Sequence, residues 1–287
     1  MKIDVFRAKG LSSVFLAFLL ILTCGVFMGL KLKIDDITRN KIPGASIIYI
    51  PSGKYLKFGT FGNPSLLADL VYLWAIQYYS TYAIVDRYEN LDRIFSIIAE
   101  LDPRYLDPYE VGAVIAYYEA ENLEMALKIL DKGLEKNPDQ WIFPYEAGQY
   151  ARFRKEYELA QEYFKKAMEI EGAPDFMKRL YADATFMAVD YKSSWETWME
   201  IYQTAEDERI KKIASNHLYR VKAAIDRRTI RRAIIKFHEK YGRNPSDLSR
   251  LIRAGFLKSI PKDLDGNEYI YDPKTGKVGT PIIPWKR

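Results

Sequence analysis

The sequence predicts an all-α fold: a solenoid of helical hairpins behind a single membrane-spanning helix, closed by a small C-terminal α+β cap. Three observations lead there. An uncharged apolar run fills residues 11–30, small and bulky residues then recur at an interval of 34, and the chain ends in turn and strand patterns.

Composition sets the outer bounds. With 287 residues, 48% of them apolar and 14% aromatic, the chain can bury a sizeable core and is not disordered in bulk. Its single cysteine, Cys24, sits in the apolar run, so an internal disulfide and a Cys-based zinc site are both excluded. The net charge of +5 is unevenly spread. Acidic residues exceed basic ones by nine between Asp86 and Asp175, whereas from Arg209 to Arg243 twelve basic residues face only Asp226 and Glu239. Such a dipolar chain is set up for charge-guided contacts.

Residues 1–10 form a short tail before Leu11–Leu30, which contains no charge and is flanked by Arg7, Lys9, Lys31 and Lys33. At 1.5 Å per residue, about 20 helical residues cross a hydrocarbon core of about 30 Å. A cleaved signal peptide also opens on basic residues. This run, however, is longer than a usual signal core and no small-x-small site precedes Lys31. The expectation is a retained single-pass anchor with the body outside the cytoplasm.

Residues 31–64 mix Pro43, Gly44, Pro51, Gly53, Gly59, Gly62 and Pro64 with the β-prone runs Ser46–Ile50 and Tyr55–Phe58. That composition predicts an extended or hairpin lead-in. Ser65 is the expected N-cap of a long apolar helix, Leu66–Tyr82, which must be buried nearly all round or docked on the helices that come after it.

Residues 65–208 carry the repeats. With Trp141–Pro174 set under Asp107–Gln140, Ala160 falls under Ala126, Phe164 under Leu130, Ala167 under Gly133 and Ala147 under Ala113. Pro103, Pro138 and Pro174 close successive units. A weaker unit, Asp175–Glu208, places Ala182, Ser194 and Trp198 at matching positions, and an earlier one has Tyr82 and Phe95 in register after a one-residue shift. Two helices approach closely only where small side chains meet, here Gly148 and Ala160, with Phe164 filling the space between them. At these residues the chain resembles the tetratricopeptide-repeat (TPR) superfamily, over about half its length. Glu110 and Pro144 depart from it, standing where the repeat prefers Trp. An ordinary helical bundle is the alternative.

The resemblance implies a groove lined by the first helix of each unit. Its positions here are Val111, Ile115 and Tyr118; Ile142, Tyr145, Gln149 and Arg152; and Phe176, Arg179, Asp183 and Phe186. Aromatic anchors beside a few polar groups suit a peptide or helical ligand. The same residues could instead pack against the Leu66–Tyr82 helix, filling the groove from within.

Residues 209–287 begin with one or two basic helices. Ile230, Ile234, Phe237 and Tyr241 make an apolar stripe, flanked by Arg227, Arg228, Arg231 and Arg232. This basic patch fits docking on acidic repeat surfaces ahead of anionic lipid. Nucleic acid ranks last, because aromatic residues are not interleaved with the arginines. A short helix ending at Gly255 and a hairpin through Asp272–Gly276 complete the chain. Gly242-x-x-Pro245-Ser246-x-Leu248, then Gly255-Phe256-Leu257, then Pro261-x-Asp263-x-x-Gly266-x-x-Tyr269-x-Tyr271 resembles the C-terminal segment of type II secretion pseudopilins. The pilin's N-terminal glutamate is missing, so we read a shared local packing solution. In pseudopilins this neighbourhood can hold calcium, and Asp263, Asp265 and Asn267 are the weak candidates for it; a plain turn is the simpler reading.

Nothing in the sequence points to an enzyme or a cofactor. His217 and His238 stand alone, no phosphate-binding glycine loop or nucleophile elbow occurs, and acidic pairs such as Glu119/Glu121 and Glu156/Glu158 read as solvated faces. The expected function is a membrane-anchored scaffold that binds a protein partner in the groove, with secretion, pilus or surface assembly as the implied setting. A self-associating envelope subunit is the alternative, and a carboxylate-based hydrolase a more distant one.

Overall fold

A computed structural model describes residues 3–35, 51–82, 84, 86–283 and 285, with side chains placed only from residue 15 to 34 in the first helix. The chain is mostly helical among these residues, with a small two-stranded sheet near the C-terminus. Helix α1 (Ile3–Asp35) is unbroken. Within it Phe15–Ile34 is long and apolar enough to cross a membrane, and none of it is buried.

The lead-in differs from its expectation. Ser46–Ile50 lies outside the described residues, and Tyr55–Phe58 is helical rather than extended, within α2 (Gly53–Phe58). A tertiary contact overrides the local preference here. The Lys54 N–H donates to the Glu100 carboxylate at 3.2 Å, giving the helix N-terminus an anionic partner. A Cβ on Gly53 would lie 2.8 Å from the Ile97 carbonyl oxygen, so only glycine allows this approach.

Helix α3 (Pro64–Tyr79) starts at Pro64, with Asn63 rather than Ser65 at the N-cap, and it is not buried all round. Ala68, Ala75, Tyr78 and Tyr79 are buried, while Leu66, Leu70 and Leu73 stay exposed. It packs chiefly on α4 (Leu91–Leu101), where Tyr79 stacks on Phe95.

From α4 through the next seven helices, each packs on the one after it in sequence. They are α5 (Asp107–Val114), which continues as a π-helical turn over Ile115–Glu119, α6 (Leu123–Lys136), α7 (Ile142–Phe153), α8 (Tyr157–Glu169), α9 (Phe176–Met187), α10 (Tyr191–Thr204) and α11 (Glu208–Tyr241). The interval of 34 is visible in the backbone. Helices α6, α8 and α10 begin at Leu123, Tyr157 and Tyr191. Just before them Glu121, Lys155 and Val189 adopt φ of 51°, 64° and 65°. A left-handed residue there ends the preceding helix and reverses the chain. Asn122 and Asp190 then cap the next helices, accepting from Met125 N at 2.9 Å and Ser193 N at 3.1 Å.

The same interval marks the core. Ala126, Ala160 and Ser194 are wholly buried, as are Leu130, Phe164 and Trp198 four positions on. Ser194 keeps the small-residue place by donating its hydroxyl to the Ala182 carbonyl at 2.8 Å. Three helical glycines receive aromatic rings: Gly112 that of Phe95, Gly133 those of Tyr109 and Phe143, and Gly148 that of Phe164.

Helix α11 is continuous, not divided. Its first half packs Ala214, Leu218 and Val221 on Ala182, Trp198 and Ile201. Its second half brings Ile230, Ile234 and Phe237 onto Leu248, Leu251, Tyr269 and Val278 of the cap; Tyr241 is left largely exposed. The cap comprises α12 (Ser249–Arg253) and an antiparallel pair, β1 (Ile270–Asp272) with β2 (Lys277–Gly279), in which Tyr271 faces Val278. Buried polar contacts fasten it to α11: Tyr219 donates to Asp263 at 2.8 Å, and Tyr269 to Asp226 at 2.7 Å.

Two substitutions test this packing. In Gly148→Ala the new methyl would lie 2.7 Å from two atoms of the buried Phe164 ring. Overpacking of about 1–3 kcal/mol then outweighs the roughly 1 kcal/mol of helix propensity gained, so the melting temperature falls. Tyr219→Phe leaves a buried carboxylate oxygen one donor short and costs about 1–2 kcal/mol. Unchanged melting curves for both would show that neither contact holds the fold.

Candidate functional site

The candidate residues come from α5, α7 and α9. On α7 the sequence Phe143-Pro-Tyr-Glu-Ala-Gly-Gln-Tyr150 divides by burial. Phe143, Pro144, Ala147, Gly148 and Tyr150 turn inward, and Ile142, Tyr145, Glu146, Gln149 and Arg152 lie half-buried on the remaining surface.

Three of the expected residues come together. The Gln149 amide donates to the Tyr145 hydroxyl at 3.1 Å, and the Tyr145 ring meets Phe176 of α9 edge-on at 5.9 Å. Trp141 completes the group, 6.0 Å from Tyr145 and 6.4 Å from Phe176. Arg152 places its guanidinium 5.3 Å from the Phe153 ring. Tyr118 is 60% exposed and stands edge-on to both Tyr117 and Tyr150. Arg179 is half-buried on α9. Phe186 is not an open anchor, because Arg220 of α11 lies 3.9 Å over its ring while bonding Asp183 at 3.0 Å. Of the other expected wall positions, Ile115 is buried and Val111 half-buried.

Two residues were not singled out from the sequence. Glu146 has its carboxyl pushed up to about 7, first by burial and then by the neighbouring Glu110 carboxylate, with a hydrogen bond from Tyr150 opposing the rise. Glu110 is itself raised, by burial and then by Asp107. Tyr150 stacks on Tyr117 at 4.4 Å, and burial followed by Glu146 raises its hydroxyl. One signal was available: Glu146 is the only charged residue between Phe143 and Tyr150. Glu146 Oε2, Gln149 Oε1 and Arg152 Nε are all buried without a hydrogen-bond partner. Buried polar atoms are rarely left so, and these three fall along one helix, α7.

The basic patch does not act as a unit. Arg227 donates to the Val278 carbonyl at 3.0 Å and so fastens the cap, whereas Arg228, Arg231 and Arg232 stand exposed. Arg231 lines an open cleft with His238, Glu239, Asn244 and Lys277. His217 is stacked 3.8 Å from Trp198 with Trp285 edge-on at 4.8 Å, and burial holds its imidazole down at about 4.

Asp263 is occupied as an acceptor. Its Oδ1 takes the N–H groups of Asp265 (3.0 Å) and Asn267 (2.7 Å), and its Oδ2 takes the Tyr219 hydroxyl and the Asn267 amide (3.2 Å). Asp263 and Asn267 therefore bond each other instead of converging on a shared cation. Among the described residues no group of three or more His, Cys, Asp or Glu is placed to hold a metal.

No protein-family model matches the chain, and no curated protein is significantly similar to it. Any role must therefore come from the chemistry of these side chains.

Glu146 gives a pH test. The folded chain keeps a proton there up to about pH 7 that the unfolded chain releases above 4.5, so this contribution is present in acid and lost as pH rises between those values. Partial exposure screens it to on the order of 1 kcal/mol. Glu146→Gln should therefore flatten the fall in melting temperature between about pH 5 and about pH 8. Parallel curves for the two proteins would contradict the assignment.

Proposed function

We propose that this chain is a membrane-anchored scaffold of the tetratricopeptide type, whose first helices α5, α7 and α9 form the wall that grips a protein partner. The observation that carries the reading is the pairing of an aromatic group, Trp141, Tyr145 and Phe176, with the unsatisfied polar atoms of Glu146, Gln149 and Arg152. An extended peptide or a helix supplies apolar side chains for the first and polar groups for the half-buried side chains of the second. The TPR reading draws support from helices, left-handed turns and small-residue contacts that all recur at an interval of 34. Helix α1 is the anchor, with the body outside the cytoplasm. A place in secretion, pilus or surface assembly is suggested by the pseudopilin-like cap, where Tyr271 donates to the Pro245 carbonyl at 2.9 Å within the shared pattern.

Self-association is the second reading, favoured by exposed Arg228, Arg231 and Arg232 on a chain whose repeats are acidic. It predicts a dimer in detergent that moderate salt dissolves, since exposed charge pairs are screened over about 8–10 Å at physiological salt.

A photo-crosslinking amino acid at Tyr145 or at Tyr118 in the native membrane should capture a discrete protein. Arg152→Ala combined with Gln149→Ala should cut that adduct at least several-fold. Absence of any adduct at both positions would remove the scaffold reading, and an adduct consisting only of a second copy would transfer it to self-association.

A further inference from the structure

The first two elements of the body turn large apolar side chains outward. Tyr55 and Phe58 are exposed on α2, Phe58 at 88%, and Phe61 just beyond is 96% exposed. Phe61 has φ of 49°, a region seldom used by a bulky residue, and Gly62 comes next at 91°. The turn thus holds the ring out. On α3, Leu66, Leu70, Leu73 and Trp74 fall at i, i+4, i+7 and i+8, the spacing of one helical face, and all are exposed. The opposite side of that helix packs toward α4 through Tyr79 and Phe95. Two successive helices that each leave several large apolar side chains uncovered are unusual for a surface facing water.

Three features favour lipid as the cover. The first is the tether. Only residues 36–50 separate α1 from Pro51, so a short stretch of chain joins α2 to the segment apolar enough to cross a membrane. The second is residue type. Tyr, Phe and Trp beside leucines, with Lys54 and Lys57 exposed on the same short helix, is the mixture that settles where headgroups meet acyl chains. The one charge on α3, Asp69, is exposed and near enough to Tyr105 to help raise its hydroxyl after burial. The third is a shortage of polar groups. A specific protein interface carries about one hydrogen bond per 100–200 Å², and these seven side chains offer only the Tyr55 hydroxyl and the Trp74 indole N–H.

We propose that the α2–α3 face lies in the headgroup–acyl boundary of the membrane that α1 crosses, as a second contact that does not span it. The contact rests on α1 being a membrane span and is independent of the partner-binding wall. It sets the orientation of the repeats relative to the bilayer, because a body held at two places cannot swing freely on its tether.

Site-directed spin labelling of the full chain in vesicles of phosphatidylcholine and phosphatidylglycerol tests this. The native Cys24 is labelled first, to report on α1. In a Cys24→Ser background the label then goes to Phe61→Cys or Leu70→Cys, with Lys128→Cys as an aqueous control. Phe61 is almost fully exposed, so its replacement leaves the fold intact, and circular dichroism checks this. Oxygen partitions into lipid and a nickel chelate stays in water. The expected result is an oxygen-to-nickel accessibility ratio at 61 and 70 several-fold above that at 128, approaching that of Cys24. Ratios at 61 and 70 equal to the control, with Cys24 in lipid, overturn the proposal and leave the anchor standing. Immobilised labels reached by neither reagent also overturn it, and spin–spin broadening then separates a second copy from a different protein. An aqueous Cys24 removes the anchor itself and the proposal with it.

Discussion

An aromatic ring laid on a bare stretch of helix backbone is the contact that sets the spacing of this stack. Glycine costs a helix about 1 kcal/mol relative to alanine, while burying a phenylalanine returns about 1.5–3 kcal/mol. The exchange is favourable only where the ring is wholly enclosed, and Phe143 and Phe164 are. Gly112 with Phe95, Gly133 between Tyr109 and Phe143, and Gly148 with Phe164 join α4 to α5, α5 through α6 to α7, and α7 to α8. Each ring is both filling and spacer. A larger residue at any of these glycines separates two helix axes and disturbs every contact those helices make with their neighbours.

With the rings committed between helices, the outer flanks of the first helices are left to residues that do not fit a close-packed layer. Glu146 is held beside Glu110 with too little water to ionise easily, and the same crowding strands Gln149 Oε1 and Arg152 Nε. The π-helical turn at Ile115–Glu119 bears on this too. The Asn122 N–H reaches six residues back to the Ala116 carbonyl, where Glu156 and Asp190 at equivalent turns reach five. One additional residue is thus absorbed inside the helix. Within this turn Tyr117 lies flat on Tyr150 and Tyr118 projects from the surface. Single-turn π-bulges of this kind often lie at functional sites.

The elements legible in the sequence were those with a period. Small residues at 126, 160 and 194 and bulky ones at 130, 164 and 198 announced themselves by recurrence, and all six are buried. The cap was readable from turn chemistry, with Gly255 and Gly276 both at positive φ. The features that escaped notice depend on contacts distant in sequence. The Glu100 carboxylate, 46 residues away, draws Tyr55–Phe58 into a helix against its β-prone composition. Arg220 covers Phe186 from α11, and Arg227 turns from the surface to a cap carbonyl 51 residues on. Sequence spacing places a side chain on a face of its own helix but says nothing of which later element arrives there. Glu146 escaped for another reason: its character comes first from burial and then from an acid on a different helix, and both depend on tertiary packing.

The two ends of the stack are closed by different means. A run of helices, each packed on the next, leaves a face at each end, and an apolar face left in water costs solubility. At the C-terminal end the long α11 supplies the cover: Leu218 and Val221 pack on α9 and α10, and His217 and Trp285 extend the aromatic layer from Trp198. The polar contacts of the cap, Tyr219 with Asp263 and Tyr269 with Asp226, fix that cover in one register, because each buried carboxylate finds its donor in a single arrangement. At the N-terminal end α2 and α3 cover α4 and then present leucines and aromatic rings of their own. The face has been moved outward by one layer rather than closed. An end that stays apolar is unfavourable in water and favourable in contact with acyl chains, and in sequence it is the end that follows the one segment apolar enough to cross a bilayer among the described residues.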